Sequence, residues 1–376
     1  MKILQLGKAY PPANLGGVEV TIKLITEGLR KKNVICDVLG VNDSYRTQIE
    51  DSDLGKVYRE KRIMKAFSTL LSFHLIFRLK KILNRYDILH IHHPDPMSVF
   101  AAWLCQPKCK VVLHWHSDIL KQKILLKLFK PLQTWILERA DVIVATSPQY
   151  AEHSNDLKPY SHKTSIIPIG IDTTGLIYDE IRSSEIKTTY KDKTLVLAIG
   201  RLTYYKGYEY LIQAFDQIKD KKYYLIIIGK GDQEKALMSR IGKLNLGENV
   251  KLLGNVSDEE RNAYLAACDI FVLSSIYKTE AFAIVQIEAM SMGKPIVSTI
   301  IPGSGVDWVN KNRVSGLTVP RMDSNALANA IEDIGSDPNL YSYLSVNGKE
   351  RFNSYFTQEE MSNGLITIYK GLLGRS

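Results

Sequence analysis

Short apolar runs alternate with longer amphipathic stretches along the whole chain. In the first half, residues 2–7, 34–41, 87–93, 110–116, 141–147 and 164–170 are Val-, Ile- and Leu-rich runs bounded by polar or turn residues, and they read as strands. Between them, residues 18–32, 62–84, 96–106 and 121–139 carry the apolar spacing of helices. The second half repeats the rhythm, with strands over 194–200, 223–229, 250–254, 269–275, 295–299 and 316–319. Helices are predicted there over 207–219, 233–244, 258–267, 284–292, 324–335 and 338–353, with a further one over 357–373. Apolar strands alternating with helices predict parallel sheets covered on both faces. The expected fold is therefore α/β, with two Rossmann-like doubly wound domains over residues 1–171 and 172–356 and the polar stretch 172–193 between the sheets as linker. Such sheets bind ligands beyond the carboxyl ends of their strands, so the loops after the strands, facing a deep cleft between the domains, are expected to hold the chemistry.

Composition narrows the class. A chain of 376 residues with 45% hydrophobic and 24% charged residues is globular and long enough for two domains. There is no apolar run of about 18 residues, and MKILQLGKAYPP is a strand followed by Pro-Pro, so neither a membrane span nor a secretory signal is indicated and a cytoplasmic protein is expected. Cys36, Cys105, Cys109 and Cys268 lie in or beside apolar stretches without a CxxC pair, which points to reduced core residues.

The charge is uneven. Residues 1–170 hold 25 Lys and Arg against 15 Asp and Glu, whereas residues 171–376 hold 24 against 25. Within the first part Lys56, Arg59, Lys61, Arg62, Lys65, Arg78, Lys80, Lys81 and Arg85 are interleaved with Ile63, Met64, Phe67, Leu70, Leu71, Phe73, Ile76 and Phe77, and Lys121, Lys123, Lys127 and Lys130 add a second cluster. This is the composition of a basic amphipathic segment lying on an anionic membrane surface, with a solvated helix face as the alternative. No nucleic-acid motif accompanies the charge, so nucleic acid is not an expected partner.

Candidate chemistry centres on KTEAFAIVQIEAMSMGKP, residues 278–295. A helix from Ile284 places Glu280 in the loop before its N-terminus and Glu288 a little over one turn inside. The backbone N–H groups of Phe282, Ala283, Ile284 and Val285 then open at the helix mouth, where an anion such as phosphate is favoured; Ala281, just ahead, belongs to the same donor-binding run. Glu280 suits hydroxyl partners, because it repels a phosphate. A solvated loop carboxylate before an ordinary buried helix is the alternative.

Other strand-end loops add to this. Gly16-Gly17 precedes a helix and lets backbone approach a diphosphate or an acceptor, or serves as a plain turn. It is not GxGxxG, which disfavours a nicotinamide cofactor. His116 ends a strand and is the better placed of His114 and His116 to contact a ligand; a capping role for Ser117 or Asp118 competes as the explanation of that dyad. His90, His92 and His93 lack a carboxylate at ligand spacing and read as core or cleft-lining residues, so no metal is expected. Arg201 and Lys206 flank the turn of GRLTYYKG and offer two cations to a diphosphate. Gly229-Lys230-Gly231 allows a flat base against the backbone, or a tight turn. Asp51-Ser52-Asp53 has the form of a metal-binding DxD, but no apolar strand delivers it to a sheet edge, and a solvated loop is expected.

Gly16-Gly17, His116, Arg201, Lys206 and the Glu280-to-Glu288 segment together resemble the retaining glycosyltransferases of family 4, of the GT-B fold. The likeness covers nearly the whole chain and is strongest from Gly200 to Pro320, where GRLTYYKG, TEAFAIVQIEAMSMGKPIVST, Gly303, Gly305 and SGLTVP match the family's order. It implies that Arg201 and Lys206 grip the donor diphosphate, Glu288 bonds the ribose, Glu280 contacts the transferred sugar, His116 lies next to that sugar, and Gly17 lies near the phosphate. It also implies that residues 357–376 return to the first domain. Ala283 departs from the family, which most often has Gly there. The expected reaction is hexosyl transfer with front-face substitution, without cofactor or metal. The expected acceptor is a polyprenyl-pyrophosphate-linked or other oligosaccharide of O-antigen or capsule assembly, reached from the inner face of the cytoplasmic membrane. PGSG followed by DWVN resembles a branch associated with mannosyl or rhamnosyl transfer and favours GDP-mannose, with UDP-hexoses open. An epimerase of the same fold and a silent partner subunit remain as rivals, but the presence of Arg201, Lys206, Glu280 and Glu288 together suits transfer better.

Overall fold

The structure, a computed structural model, describes residues 1–12, 16–66, 69–119 and 123–375, with the backbone alone for Ala66 and residues 123–126. Phe67, Lys121 and the Lys123 side chain, all named above, lie outside the described residues. The chain forms two compact units, residues Met1–Gly170 with Gln358–Ser376, and residues Ile171–Thr357.

In the first unit the strands are β1 (Lys2–Leu6), β2 (Ile35–Val41), β3 (Gln48–Ser52), β4 (Gly55–Glu60), β5 (Met64–Ala66), β6 (Thr69–Leu71), β7 (Ile88–His93), β8 (Lys110–Trp115), β9 (Val142–Ala145) and β10 (Thr164–Ile166). The helices are α1 (Gly17–Lys31), α2 (Phe73–Ile82), α3 (Pro96–Cys105), α4 (Lys123–Arg139) and α5 (Pro148–His153). The main sheet has the order β10-β9-β8-β7-β1-β2-β4-β3 and is parallel except for the antiparallel edge pair β3–β4. Strand order reverses direction between β7 and β1, so the chain segments leaving these two strands diverge and open a crevice. Gly16-Gly17 and the end of β7 lie there.

The last helix, Gln358–Leu372, belongs to this unit. Met361, Leu365 and Tyr369 join Ile3, Ile25, Leu29 and Cys36 in one core cluster, and Lys31 Nζ donates to Gln358 Oε1 at 3.0 Å.

The second unit contains α6 (Glu180–Thr189), β11 (Thr194–Ile199), α7 (Tyr208–Gln217), β12 (Tyr223–Ile228), α8 (Glu234–Lys243), β13 (Val250–Gly254), α9 (Asp258–Ala267), β14 (Ile270–Leu273), α10 (Ile284–Ser291), β15 (Ile296–Ile300), α11 (Val306–Val309), β16 (Gly316–Pro320), α12 (Ser324–Ser336) and α13 (Pro338–Tyr355). Its sheet, β13-β12-β11-β14-β15-β16, is parallel throughout. Here the order reverses between β11 and β14. The loops that follow these two strands are GRLTYYKG and the start of the 278–295 segment.

Three expectations are corrected. Residues 62–84 are not one helix: Met64–Ala66 (β5) pairs antiparallel with Thr69–Leu71 (β6), and α2 starts only at Phe73. Ser72 sets that start, since its Oγ accepts from Leu75 N–H and donates to the Lys61 carbonyl at 2.7 Å. The stretch 172–193 is not bare linker, because Asp179 caps α6 and Arg182 clamps Glu260 of α9 through Nε and Nη2 at 2.8–3.2 Å. Asp51 does lie on a sheet edge, in β3, whose five residues are all exposed, and it pairs with Lys56 across the hairpin.

The basic segment is also more internally satisfied than its composition implies. Arg59 is buried against Glu50 at 2.7 Å, Arg78 meets Glu60 at 2.6 Å, and Arg62 meets Asp43 at 3.3 Å. No helix among the described residues is long and apolar enough to cross a membrane.

Candidate active site

The switch point of the second unit gathers the candidate donor residues. A short turn over Tyr204–Lys206 follows β11, and it is stitched to the chain leaving β14: Ser274 Oγ donates to the Lys206 carbonyl at 2.9 Å, and Ile276 N–H to the Tyr205 carbonyl at 2.8 Å. These bonds bring Lys206 Nζ to 2.5 Å from Glu280 Oε2, with both side chains about nine-tenths buried. Glu280 also accepts from Ser275 Oγ at 2.9 Å, and its carbonyl accepts from Ser304 Oγ. Burial opposes the charge on Lys206, but the Glu280 carboxylate beside it outweighs that, and the ammonium is held above its ordinary range. Glu280 and Lys206, expected to address different parts of a ligand, are thus also each other's partners.

Immediately after Glu280 the backbone opens. The N–H groups of Ala281, Phe282, Ala283, Ile284 and Val285 donate to no acceptor among the described residues, while Gln286 N–H returns to the Ala283 carbonyl at 3.0 Å. Ala283 is the N-cap of α10 and has φ 63° and ψ 80°, the left-handed region that favours glycine. That explains in physical terms why glycine suits this position. Glu288, one turn into α10, keeps Oε1 3.4 Å from Arg261 Nη2 of α9; burial pushes its carboxyl up and Arg261 opposes the shift.

Arg201 lies exposed on the same loop as Lys206, and its guanidinium has no partner among the described residues. It is available to a ligand but is not positioned by contacts. Lys230 is exposed too. At Gly229 a Cβ would come within 1.9 Å of the Gly200 carbonyl oxygen, and at Gly231 within 2.1 Å of the Leu202 carbonyl oxygen. These glycines let two strand-end loops pack on each other.

In the first unit, Gly16 caps α1 and its N–H donates to Glu19 Oε2 at 2.9 Å, while a Cβ on Gly17 would meet nothing within 4 Å. The backbone at Gly17 is open to a ligand. His116 directly follows β8, nearly buried, with Nε2 2.9 Å from His92 Nδ1. Burial first, and the neighbouring His93 second, lower its pKa to about 3. Asp118 Oδ1 accepts from Trp115 Nε1 at 3.0 Å and from Ser154 Oγ at 2.7 Å. Sequence reasoning missed Ser275 and Arg261, and it read His92 as a core or cleft-lining residue without its contact to His116. Arg261 and His92 act through partners more than twenty positions away, and Ser275, only five from Glu280, carries no motif of its own.

Comparison with known proteins agrees with this architecture. The family description "Glycosyltransferase Family 4" matches residues 15–174 and "Glycosyl transferases group 1" matches residues 179–351. The chain is 30% identical over 373 residues to the O-antigen chain mannosyltransferase C of Escherichia coli, covering 99% of each, and 29% identical to the D-rhamnosyltransferase WbpZ of Pseudomonas aeruginosa, covering 95% of this chain and 92% of that one. Among solved structures, the fold is similar to sucrose-phosphate synthase from Thermosynechococcus elongatus, with TM-score 0.80, 23% identity and full coverage of both chains. It is also similar to Anabaena HepE in complex with UDP-glucose, with TM-score 0.75, 19% identity and coverage of 99% and 100%. Two doubly wound units of this kind define a GT-B glycosyltransferase. The chain belongs to glycosyltransferase family 4 and is a transferase enzyme.

Proposed function

We propose that the protein transfers a hexose from a nucleoside-diphosphate sugar to a saccharide acceptor of bacterial surface-polysaccharide assembly, with retention of anomeric configuration and without a metal ion. The observation that carries this reading is the buried Lys206–Glu280 pair directly ahead of five consecutive open backbone N–H groups. The open groups and the α10 N-terminus suit a diphosphate, Lys206 and Arg201 supply cations for the departing charge, and Glu288 suits ribose hydroxyls. Glu280, held by Lys206 and Ser275, is a hydroxyl acceptor more than a free nucleophile. The reaction then proceeds on one face: the anomeric carbon's bond to the diphosphate breaks, its bond to the acceptor oxygen forms, and the acceptor's proton passes to the leaving phosphate oxygen. No side chain changes its protonation.

For the donor we favour GDP-mannose, on the PGSG–DWVN stretch and the O-antigen mannosyltransferase relative, with a UDP-hexose as the alternative suggested by the HepE complex. The acceptor we favour is lipid-linked, presented at an anionic membrane on the cytoplasmic side. A thermal-shift panel of GDP, UDP, ADP and dTDP with their sugars tests the reading. A ligand at a hundred times its Kd stabilises the native state by about 2.7 kcal/mol. GDP and GDP-mannose are expected to raise Tm, and no shift with any of the panel would sink the proposal.

A further inference from the structure

A ladder of polar side chains runs through the interior of the first unit: Gln5 on β1, His90 and His92 on β7, His114 on β8, His116 after it, and Tyr369 on the C-terminal helix. Gln5, His90, His92, His114 and Tyr369 are wholly buried, and His116 keeps 7% of its surface exposed. One candidate explanation is a metal ion, since ligand atoms of His90, His92 and His114 lie within 4.8 Å of one another. The ring planes speak against it. Neighbouring rings are within 4–24° of parallel at centroid distances of 4.3–5.4 Å. Imidazole lone pairs lie in the ring plane, so near-parallel rings do not surround one centre tetrahedrally. The nitrogens point at each other instead: His90 Nε2 is 3.2 Å from His114 Nδ1, and His92 Nδ1 is 2.9 Å from His116 Nε2.

The second of these contacts takes its direction from the Gln5 amide. Gln5 Oε1 lies 2.7 Å from His92 Nε2, and a carbonyl oxygen carries no hydrogen, so His92 Nε2 must be the N–H. A neutral imidazole donates from one nitrogen and accepts on the other, and no carboxylate stands among these rings to hold an imidazolium. His92 Nδ1 is therefore a bare lone pair, and the hydrogen in its contact with His116 comes from His116 Nε2. That leaves Nδ1 of His116 bare. On the other branch, Tyr369 Oη and His90 Nδ1 share a hydrogen bond of 2.5 Å, which ties the C-terminal helix to the same array.

We infer that Gln5 and His92 are positioning residues which lock His116 as the Nε2–H tautomer and so present its Nδ1 as an obligate hydrogen-bond acceptor. An acceptor of this kind takes a hydroxyl or an N–H and turns away a phosphate or carbonyl oxygen, which have no hydrogen to give. The tautomer follows from the ladder alone; that a sugar hydroxyl is what Nδ1 receives rests on the proposed transferase function. The orientation of the Gln5 amide sets the sign of the whole relay, because an amide N–H2 at that position would reverse every hydrogen in it.

The test is a long-range proton–nitrogen spectrum of the full-length protein labelled with 15N-histidine at neutral pH, with His116 assigned by the signals lost in His116→Gln. The expected pattern is a protonated Nε2 and a bare Nδ1 on His116. A protonated Nδ1, or an imidazolium, overturns the inference. Two variants add a functional readout. His92→Asn places an amide oxygen near the former Nδ1 and keeps the tautomer, while His92→Phe removes the acceptor, gives mixed His116 tautomers and lowers kcat/KM for the nucleotide sugar about three- to tenfold, the worth of one neutral hydrogen bond. Equal losses in the two variants would also count against the relay, and if His92→Phe does not fold, the wild-type spectrum still decides. Failure of every nucleotide sugar to bind a protein showing the expected tautomer would sink the transferase proposal and leave the relay standing.

Discussion

Lys206 and Glu280 are 2.5 Å apart, and neither charge has much water to fall back on. Removing one partner strands the other. Lys206→Met is expected to lower stability by about 3–5 kcal/mol, whereas Lys206→Met combined with Glu280→Gln should recover most of it, because a glutamine still accepts from Ser275 Oγ. Denaturant unfolding distinguishes the two, and an equal loss in both would refute the coupling. Neither variant is expected to transfer sugar. At Ala283 the strain runs the other way: a left-handed alanine costs about 1–2 kcal/mol, and glycine gives back about 0.4–1 kcal/mol through its freer unfolded chain. Ala283→Gly should therefore raise stability by roughly 0.5–1 kcal/mol. A lower Tm in that variant would show that the methyl group packs usefully. Glu280 and Glu288 could be paired from sequence because one helix relates them. The Lys206–Glu280 contact could not, since only the adjacency of β11 and β14 in the sheet brings those loops together.

At the scale of elements, the sequence pattern located the buried strands well and the surface elements poorly. Strands β11 and β12 are apolar on both faces and stand out in any window. Strand β3, with every residue exposed, carries no such run, and α6 buries only Ser183 and Ile186. The hairpin β5–β6 was absorbed into a helix because its apolar residues continue the spacing of α2, and the Ser72 cap was the overlooked boundary. That correction sharpens the membrane proposal. On α2, Phe73 and Phe77 lie one turn apart, 63% and 72% exposed, and Ile63 and Met64 of the preceding chain and Trp103 and Leu104 of α3 are exposed as well. Lys65, Lys80 and Lys81 are exposed around them, without an ion pair among the described residues. Such a surface suits anionic lipid headgroups. Phe73→Ser with Phe77→Ser should weaken binding to phosphatidylglycerol-containing vesicles by about tenfold or more, from the loss of two apolar side chains at the interface. Vesicle co-sedimentation unchanged by the pair, or indifferent to anionic lipid, would remove the membrane from the proposal.

Over the whole molecule, the two doubly wound units were legible because alternation of buried strand and helix is a property of pattern, whereas the placing of the last helix is a property of packing. One asymmetry between the units sets a final expectation. All eight histidines fall between residues 74 and 162, and five of them, His90, His92, His93, His114 and His116, are buried in the first unit. Burial lowers all five, with His90, His93 and His116 brought to about 3 from an ordinary value of 6.5. A group whose folded pKa lies below its unfolded value binds more protons when unfolded, so its contribution to stability is intact above 6.5 and is lost as pH falls toward 3. At pH 5.5 each such ring costs about 1.4 kcal/mol relative to neutral pH. Asp95, which burial raises to about 6, works in the opposite direction and returns about 0.8 kcal/mol at that pH. The net loss is several kcal/mol, comparable with the whole stability of an ordinary domain. It falls on the first unit only, since the second contains no histidine. Calorimetry at pH 7.5 and pH 5.5 should therefore show the melting of the first unit moving down and separating from that of the second on acidification. Both units shifting together by the same amount would mean that the histidine ladder is not what acid attacks.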